Sequence, residues 1–84
     1  MAQIVLSDHA RQQMTERGAT ESEIRAAIEQ GQSEPARKQK IMYRKNFPFD
    51  QEWRGRRYRI KQVAPVVAAE PDRLIVVTVY VLYF

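Results

Sequence analysis

Cysteine is absent from the sequence, and histidine and glycine are scarce. Without cysteine the chain can form no disulfide and offers no thiolate as a nucleophile or metal ligand. One histidine and scattered carboxylates make no recognisable metal-ligand set, and three isolated glycines make no phosphate-binding loop. The longest apolar run, residues 74–84, is about half as long as a membrane-spanning helix. No secretory signal is visible. We therefore expect a soluble cytoplasmic protein with no metal, no cofactor and no membrane association.

Positive charge is concentrated in one part of the chain, which we call the basic segment (residues 37–61). It holds ten of the fourteen lysines and arginines against only two carboxylates, so its formal charge is +8, whereas the remainder carries −4. Such clustering is typical of a surface that binds phosphate backbones or an acidic protein. The alternative is a solvated sheet face on which lysine and arginine protect edge strands from pairing.

Two short helices are predicted near the N-terminus, after a short strand at residues 4–6. Ser7 is a suitable N-cap for a helix from Asp8 to Arg17. The positive end of the helix dipole favours the Asp8 carboxylate in its first turn. Gly18 supplies the left-handed residue that ends this helix.

The second helix begins at a capping box, in which Thr20 is the N-cap and Glu23 occupies the third helical position. Gly31 ends it. Its buried stripe is formed by apolar residues spaced i, i+3 and i+4, namely Ile24, Ala27 and Ile28.

The basic segment has the pattern of β-strands. Residues 38–47 and 53–63 alternate β-branched and aromatic residues with charges, which predicts two strands joined by a loop over residues 46–51. In the second strand the alternation places Arg57, Arg59 and Lys61 on one face and Tyr58 and Ile60 on the other.

The C-terminal third completes the predicted sheet. Pro65 interrupts the second strand's tail and predicts a bulge or a sheet edge there. Residues 70–73 form a favourable type I turn, and residues 74–84, apolar on both faces, predict a central strand. The chain is therefore predicted to be a single α+β domain over residues 1–84. A short strand precedes two helices, which pack on one face of a three- or four-stranded antiparallel sheet.

His9 is the only histidine and lies in the first turn of the first helix. Imidazole can transfer a proton near neutral pH. Gln13 and Arg17 follow it at i+4 and i+8, so the three residues form one ridge at the helix–sheet boundary. That ridge can present His9 and Arg17 to a ligand on the cationic strands. The alternative is that His9 bonds a nearby backbone group and Arg17 complements the negative end of the helix.

Metal-independent RNA cleavage is compatible with this inventory. The ribose 2′-hydroxyl is itself the nucleophile, so the protein must supply only a base, an acid and cations that stabilise the phosphorane. His9 can be the base or the acid, and Tyr58, Tyr80 or a lysine has to provide the other function.

Aromatic residues are interleaved with the basic segment, and single-stranded bases stack on such rings for roughly 1–3 kcal/mol each. Trp53 is the best candidate for an exposed stacking ring, since it precedes three arginines. The candidate RNA-binding residues are Lys40, Arg44, Trp53, Arg54, Arg56, Arg57 and Lys61.

The order of the short motifs resembles a known family. The motifs are Ser7-Asp8-His9-Ala10, Met14-x-x-Arg17-Gly18, Thr20-Glu21-Ser22-Glu23-Ile24 and the strand Val76-Val77-Thr78-Val79-Tyr80. Together they resemble a family of small bacterial and phage domains of unknown function. That family is grouped with the RelE-like toxins in the barnase, EndoU, colicin and RelE nuclease fold.

The resemblance implies a two-helix antiparallel-sheet fold, metal-independent endoribonuclease activity and a cognate antitoxin. By position His9 and Arg17 match the family's histidine and arginine, and Arg57 or Arg59 would match its basic strand facing RNA. The candidate catalytic residues are His9, Arg17, Arg59 and Tyr80.

Three hypotheses follow for function. The first is a toxin-type endoribonuclease that acts on mRNA, free or ribosome-bound, and is neutralised by an antitoxin protein. The second is a non-catalytic module that binds RNA or an acidic protein through the basic sheet face. The third is a structural accessory protein that forms a homodimer through the apolar strand ending at Phe84.

Overall fold

The computed structural model describes residues 3–84. Two helices and five strands follow one another along the chain, with a 3₁₀ turn at Arg37–Gln39 before the third strand. The elements are β1 (Gln3–Leu6), α1 (Asp8–Arg17), α2 (Glu21–Gln30), β2 (Gln32–Pro35), β3 (Ile41–Trp53), β4 (Arg56–Ala69) and β5 (Arg73–Tyr83). No helix within residues 3–84 is long and apolar enough to cross a membrane.

The strands form one mixed sheet in the order β1-β5-β4-β3-β2. The α+β class and the two helices are confirmed, and residues of both helices belong to the core formed with β4 and β5. The predicted three or four strands are wrong, because β2 adds a fifth strand beside β3. The predicted purely antiparallel arrangement is also wrong, because β1 pairs parallel to β5. The sequence of β2, Gln-Ser-Glu-Pro, has no apolar alternation, and its side chains are exposed.

Local hydrogen bonds fix both helix starts as predicted. The Ser7 hydroxyl accepts a bond from the Ala10 N–H at 3.1 Å. At the second helix the Thr20 hydroxyl accepts from the Glu23 N–H, and the Glu23 carboxylate accepts from the Thr20 N–H, so the capping box is complete. These bonds satisfy N–H groups that have no partner within a helix.

The turn between the helices depends on Gly18. Its φ is 80°, in the left-handed region, and its N–H donates to the carbonyl of Met14, which ends α1. A Cβ at this position would lie 2.6 Å from the Tyr83 hydroxyl and 2.8 Å from ring atoms of Trp53. Glycine is therefore required here both for its conformation and for space.

The core lies between the helices and β4 and β5. Val63 and Val67 of β4 and Val76 and Val79 of β5 are fully or almost fully buried. They pack against buried residues of the helical layer, which include Ala10, Ala19 and Ile24, and against Leu6 of β1. The opposite side of the sheet, which we call the open face, is covered by no helix of the described residues 3–84 and presents Tyr80, Leu82 and Phe84, which are 45%, 50% and 56% exposed.

The predicted loop at residues 46–51 is wrong, because these residues belong to β3. The strands β3 and β4 are instead joined by Arg54 and Gly55, whose φ values of 52° and 84° are those of a tight type I′ hairpin turn. Pro48 is tolerated since β3 beyond Arg44 is an edge strand, with β4 as its only strand neighbour in the described chain. A register shift between Pro48 and Gln51 bends the strand.

Two further details of β4 differ from the prediction. Pro65 is buried in the middle of the sheet, so the predicted sheet edge at this residue is wrong. A register shift does follow between Val66 and Val67, as expected for a bulge. The N–H groups of Arg59 and Ile60 both donate to the carbonyl of Phe84, which is the pattern of a β-bulge. The bulge breaks the simple alternation expected for residues 57–61, and Tyr58 packs against Tyr83 instead.

Helix α1 protects the edge of β5 that β1 leaves uncovered. β1 pairs with β5 only as far as Val76. Beyond it, the Gln13 side chain accepts a bond from the Val79 N–H at 2.9 Å, and the Arg17 guanidinium donates to the Val79 carbonyl at 2.7 Å. The two side chains thus satisfy the backbone groups that a neighbouring strand would otherwise pair.

Replacing Gly18 by alanine should destabilise the protein more than replacing Gly55. Both sites require a left-handed backbone, which costs a non-glycine residue about 1–2 kcal/mol. At Gly55 a Cβ would meet nothing within 4 Å, whereas at Gly18 it meets Tyr83 and Trp53. We expect Gly18→Ala to lower the free energy of unfolding by about 1–3 kcal/mol more than Gly55→Ala, measured by urea denaturation. Equal losses would contradict the steric role of this glycine.

Gln13→Ala should cost more stability than Gln12→Ala, although the chemical change is the same. Gln13 is 9% exposed and serves the backbone of β5, whereas the Gln12 amide bonds only an exposed Glu16 carboxylate on the same helix. Loss of Gln13 leaves the Val79 N–H without its partner, which costs about 1–3 kcal/mol. Denaturation curves of the two variants that coincide would exclude this role for Gln13.

Candidate functional site on the open sheet face

Tyr80 lies on the open face and lines two depressions, a larger one of about 410 Å³ and a smaller apolar one of about 250 Å³. We call the larger one the basic groove. It is lined by Pro35, Ala36, Arg37, Lys38, Lys40, Met42, Val66, Val77, Thr78 and Tyr80. Three of these residues are cations and none is acidic. The groove therefore has an apolar floor and one cationic wall, which suits an anionic ligand with a flat apolar part.

The cationic wall is built by the connection between β2 and β3. The Ala36 N–H donates to the Lys40 carbonyl at 2.9 Å, and the Lys40 N–H donates to the Arg37 carbonyl at 3.2 Å. Lys38 and Gln39 have φ values of 57° and 62°, so the chain turns tightly through left-handed positions. The backbone of the three cationic residues is therefore fixed by a hydrogen-bonded turn beside the groove.

Arg17 is the cation on the other side of Tyr80. Its guanidinium carbon lies 5.4 Å from the centre of the Tyr80 ring, within the range of a cation–π contact. Among the hydrogen bonds of residues 3–84, the guanidinium makes only the one to Val79. Its other N–H groups thus stay available beside the Tyr80 ring, and the predicted catalytic residues Arg17 and Tyr80 do lie together.

His9 and Arg59 lie away from this pair. His9 is exposed in the first turn of α1, two turns or about 12 Å along the helix from Arg17, and it makes no hydrogen bond within residues 3–84. Arg59 is exposed beside Phe84, which is about 13 Å along β5 from Tyr80. The four candidate catalytic residues therefore form a line with Arg17 and Tyr80 at its centre, and not a single cluster.

The basic segment does not form one continuous surface. Arg37, Lys38 and Lys40 precede β3, whereas Arg54 to Arg59 surround the hairpin turn at its other end. A strand of 13 residues is about 40 Å long, so the two groups lie at opposite ends of the sheet. The expectation of one cationic sheet face is corrected, because the cations are concentrated near the two ends of β3, with Arg44 and Lys45 between them.

Several predicted RNA-binding residues have structural partners. Lys61 is 7% exposed, and its ammonium bonds the Glu23 carboxylate at 2.8 Å and the Gly18 carbonyl at 2.9 Å. Trp53 is half-buried and stacks on Tyr83 with ring centres 5.1 Å apart. These contacts place both residues in the layer between sheet and helices. Neither Lys61 nor Trp53 belongs to the open face, so we withdraw them as RNA contacts.

The remaining predicted contacts are on the surface. Lys40 lines the basic groove, and Arg44 lies on the open face, paired with Glu34 at 2.8 Å. Arg54 covers Trp53 and donates to the Glu16 carbonyl, and Arg57 pairs with Asp50 at 3.2 Å. Arg56 is exposed. The sequence analysis did not select Arg37 and Lys38 as ligand contacts, although their place in the basic segment was the signal that could have found them.

An aromatic cluster holds the turn that carries Arg17. Tyr83 packs against Phe49, Trp53 and Tyr58, with ring centres 5.1–5.5 Å apart, and its hydroxyl donates to the Arg17 carbonyl at 2.7 Å. Burial raises the pKa of the Tyr83 phenol, and the Glu23 carboxylate adds to the rise while Arg54 opposes it. The cluster thus fixes the backbone at Arg17 from the helical side of the sheet.

No group of three or more histidine, aspartate or glutamate residues in the described part of the chain is arranged to hold a metal ion. Proton transfer at this site would fall to the Tyr80 hydroxyl, and charge stabilisation to Arg17 and the groove cations.

Tyr83→Phe should remove a pH-dependent part of the stability. Because the phenol has a raised pKa when folded, the folded protein holds this proton more tightly than the unfolded chain does. The resulting stability is complete below about pH 10 and is lost as the pH rises through the raised value.

We therefore expect the free energy of unfolding of the wild type to fall more steeply above about pH 10 than that of Tyr83→Phe. Urea denaturation across this range measures the difference, and Tyr58→Phe in the same cluster serves as the control. Parallel profiles for the wild type and Tyr83→Phe would contradict the assignment.

One family model, "Domain of unknown function (DUF4258)", matches residues 6–81 of the chain. The comparisons with curated proteins and with solved structures found no match. The matched range runs from the end of β1 through most of β5 and therefore includes α1, the basic groove and Tyr80. The match supports the predicted membership of a family of unknown function, and nothing in it refers to RelE-like toxins or nucleases.

Proposed function

We propose, from the premise that the chain belongs to the DUF4258 family of domains of unknown function, that its open face binds single-stranded RNA. We further propose that the protein is a metal-independent endoribonuclease that cleaves cytoplasmic mRNA at this face. In this proposal it is the toxin of a toxin–antitoxin pair. The observation that carries the proposal is the position of Tyr80. Its side chain is 45% exposed, its ring centre lies 5.4 Å from the guanidinium carbon of Arg17, and it lines the basic groove, whose lining has three cations and no acidic residue.

The basic groove supplies the chemistry of RNA binding. Its cations can neutralise backbone phosphates, and the Tyr80 ring offers a surface on which a base can stack, worth roughly 1–3 kcal/mol. Val66, Val77 and Met42 provide the apolar floor beside that ring. A phosphate bound by Lys40 would lie in the same groove as Tyr80, whose ring Arg17 contacts.

Cleavage there needs no protein nucleophile. The 2′-oxygen of the ribose forms a bond to the adjacent phosphorus while the bond from phosphorus to the 5′-oxygen breaks. One proton leaves the 2′-hydroxyl and another is given to the departing 5′-oxygen. Tyr80 is the candidate for one of these transfers and a lysine of the same groove, Lys38 or Lys40, for the other, while Arg17 stabilises the charge on the phosphorane. The products are a 2′,3′-cyclic phosphate and a free 5′-hydroxyl.

A non-catalytic RNA-binding module is the second candidate function. The spacing of His9, Tyr80 and Arg59 along a line favours it, because such a line can contact successive phosphates without surrounding one of them. We also propose that an acidic antitoxin could cover the same cations. A homodimer formed through the apolar end of β5 is a further proposal.

Tyr80→Phe separates catalysis from binding, because it removes only the hydroxyl and keeps the ring. With labelled single-stranded RNA and a chelator present, we expect this variant to cleave roughly 10²–10⁴-fold more slowly than the wild type while it binds within about threefold. Tyr58→Phe, the same change in the aromatic cluster, should cleave normally. Lys40→Gln should weaken binding and lower the salt slope by about 0.7.

The outcomes distinguish the candidate functions. Binding without cyclic-phosphate products in the wild type supports the non-catalytic module. If the wild type binds no RNA at low salt, both RNA proposals are overturned. Binding of an acidic peptide under the same conditions would favour a module that binds an acidic protein partner. Equal cleavage by the wild type and Tyr80→Phe would remove Tyr80 from the mechanism.

A further inference from the structure

A second polar pocket lies beside the open face, where the end of α2 meets β2 and β3. Its volume is about 310 Å³, at the lower end of the roughly 300–1,000 Å³ typical of small-ligand sites. It is lined by Gln30, Gly31, Gln32, Arg44, Lys45, Asn46 and Gln62. Four of these side chains are carboxamides, and no lining residue is acidic. We call it the amide pocket.

A chain of hydrogen bonds fixes how the amide pocket presents its polar groups. Glu34 accepts from the Arg44 guanidinium at 2.8–2.9 Å, and Arg44 donates to the Gln62 carbonyl oxygen at 3.1 Å. The Gln62 amide nitrogen in turn donates to the Asn46 carbonyl oxygen at 2.9 Å. Because arginine can only donate, the amide oxygen of Gln62 must face it, and the orientation of Asn46 follows.

The last group in this series of hydrogen bonds, the side-chain amide of Asn46, has its donor free. The oxygen of Asn46 is occupied by Gln62, so the Asn46 amino group, with two N–H donors, is the part left for a ligand. No hydrogen bond within residues 3–84 uses that amino group. The pocket therefore offers donors from Asn46 and from the unused N–H groups of Arg44.

The amide pocket adjoins the proposed RNA-binding surface. Arg44 also lines a small apolar depression of about 250 Å³ together with Met42, Ala64, Tyr80 and Leu82. In the sheet register, Asn46 pairs with Gln62, Gln62 with Leu82, and Ala64 with Tyr80. The pocket is thus about two strand spacings across the sheet and two residues along β5, roughly 12 Å, from Tyr80. A nucleotide bound at Tyr80 would place a neighbouring base within reach of it.

We propose that the amide pocket receives one base of the RNA bound across the open face and selects guanine; this inference rests on the proposed function. Guanine presents two adjacent acceptors, O6 and N7, whereas adenine and cytosine present an amino donor on the corresponding edge. The donors of Asn46 and Arg44 complement the guanine edge. The carboxamides of Gln30 and Gln32 can accept from its remaining N–H groups.

Asn46→Asp tests the proposal with almost no change of shape. The carboxylate still accepts from Gln62 but replaces the free amino donor with an acceptor. The matched control is Gln51→Glu, which makes the same charge change on an exposed residue of β3 outside the pocket. Circular dichroism checks that both variants are folded.

The measurement is the affinity for short uridine oligonucleotides that contain one guanine, adenine or cytosine. We expect the wild type to bind the guanine oligonucleotide roughly five- to a hundredfold more tightly than the other two, the range of a good bidentate base contact. Asn46→Asp should abolish that ratio, whereas Gln51→Glu should weaken all three oligonucleotides equally and keep it.

Competition identifies the part of the nucleotide that is bound. Guanosine monophosphate should displace the guanine oligonucleotide at lower concentration than uridine monophosphate or inorganic phosphate does. Equal competition by inorganic phosphate would overturn base recognition in favour of a phosphate site. Equal affinity for all the oligonucleotides, or a guanine preference that survives Asn46→Asp, would overturn the inference while RNA binding stands. A wild type that binds no RNA removes the proposed function and this inference together.

Discussion

The docking of α1 on the backbone of Val79 is the contact on which the rest of the molecule depends. β1 is too short to cover the outer edge of β5, so Gln13 and Arg17 satisfy the N–H and carbonyl groups that remain. An unsatisfied buried backbone group costs as much as a lost hydrogen bond, which makes this pairing a condition of burying the sheet edge. The same contact places the Arg17 guanidinium beside Tyr80. One structural solution therefore also creates the centre of the candidate site.

The cations of the basic segment serve two different purposes. Lys61 is buried beside the Phe49 ring, where an isolated charge would be costly, and the Glu23 carboxylate and the Gly18 carbonyl compensate this charge. Arg54 covers Trp53 and bonds the end of α1. Arg37, Lys38 and Lys40, by contrast, line an open groove. Charge density along the chain thus indicated a charged surface but could not separate cations that hold the fold from cations that can meet a ligand.

Local signals predicted the helical layer well, and distant contacts limited the rest. The Ser7 cap, the Thr20 capping box and the Gly18 stop depend on neighbours a few residues away, and all three are present. The hairpin turn was missed because arginine, and not asparagine or aspartate, precedes Gly55, and the proline at position 48 resembled a loop signal. The burial of Lys61 and Trp53 depends on Glu23 and Tyr83, which no local pattern connects to them. For the site, the sequence singled out Arg17 and Tyr80, but their contact follows from the position of α1 against β5.

The close approach of Gly18 to Trp53 and Tyr83 has an evolutionary consequence. The room for a side chain at position 18 is set by two rings that come from different strands of the sheet. In a homologue, a larger residue at position 18 is therefore expected only where one of these two rings has become smaller or has shifted. Geometry thus couples the choice of residue at the three positions.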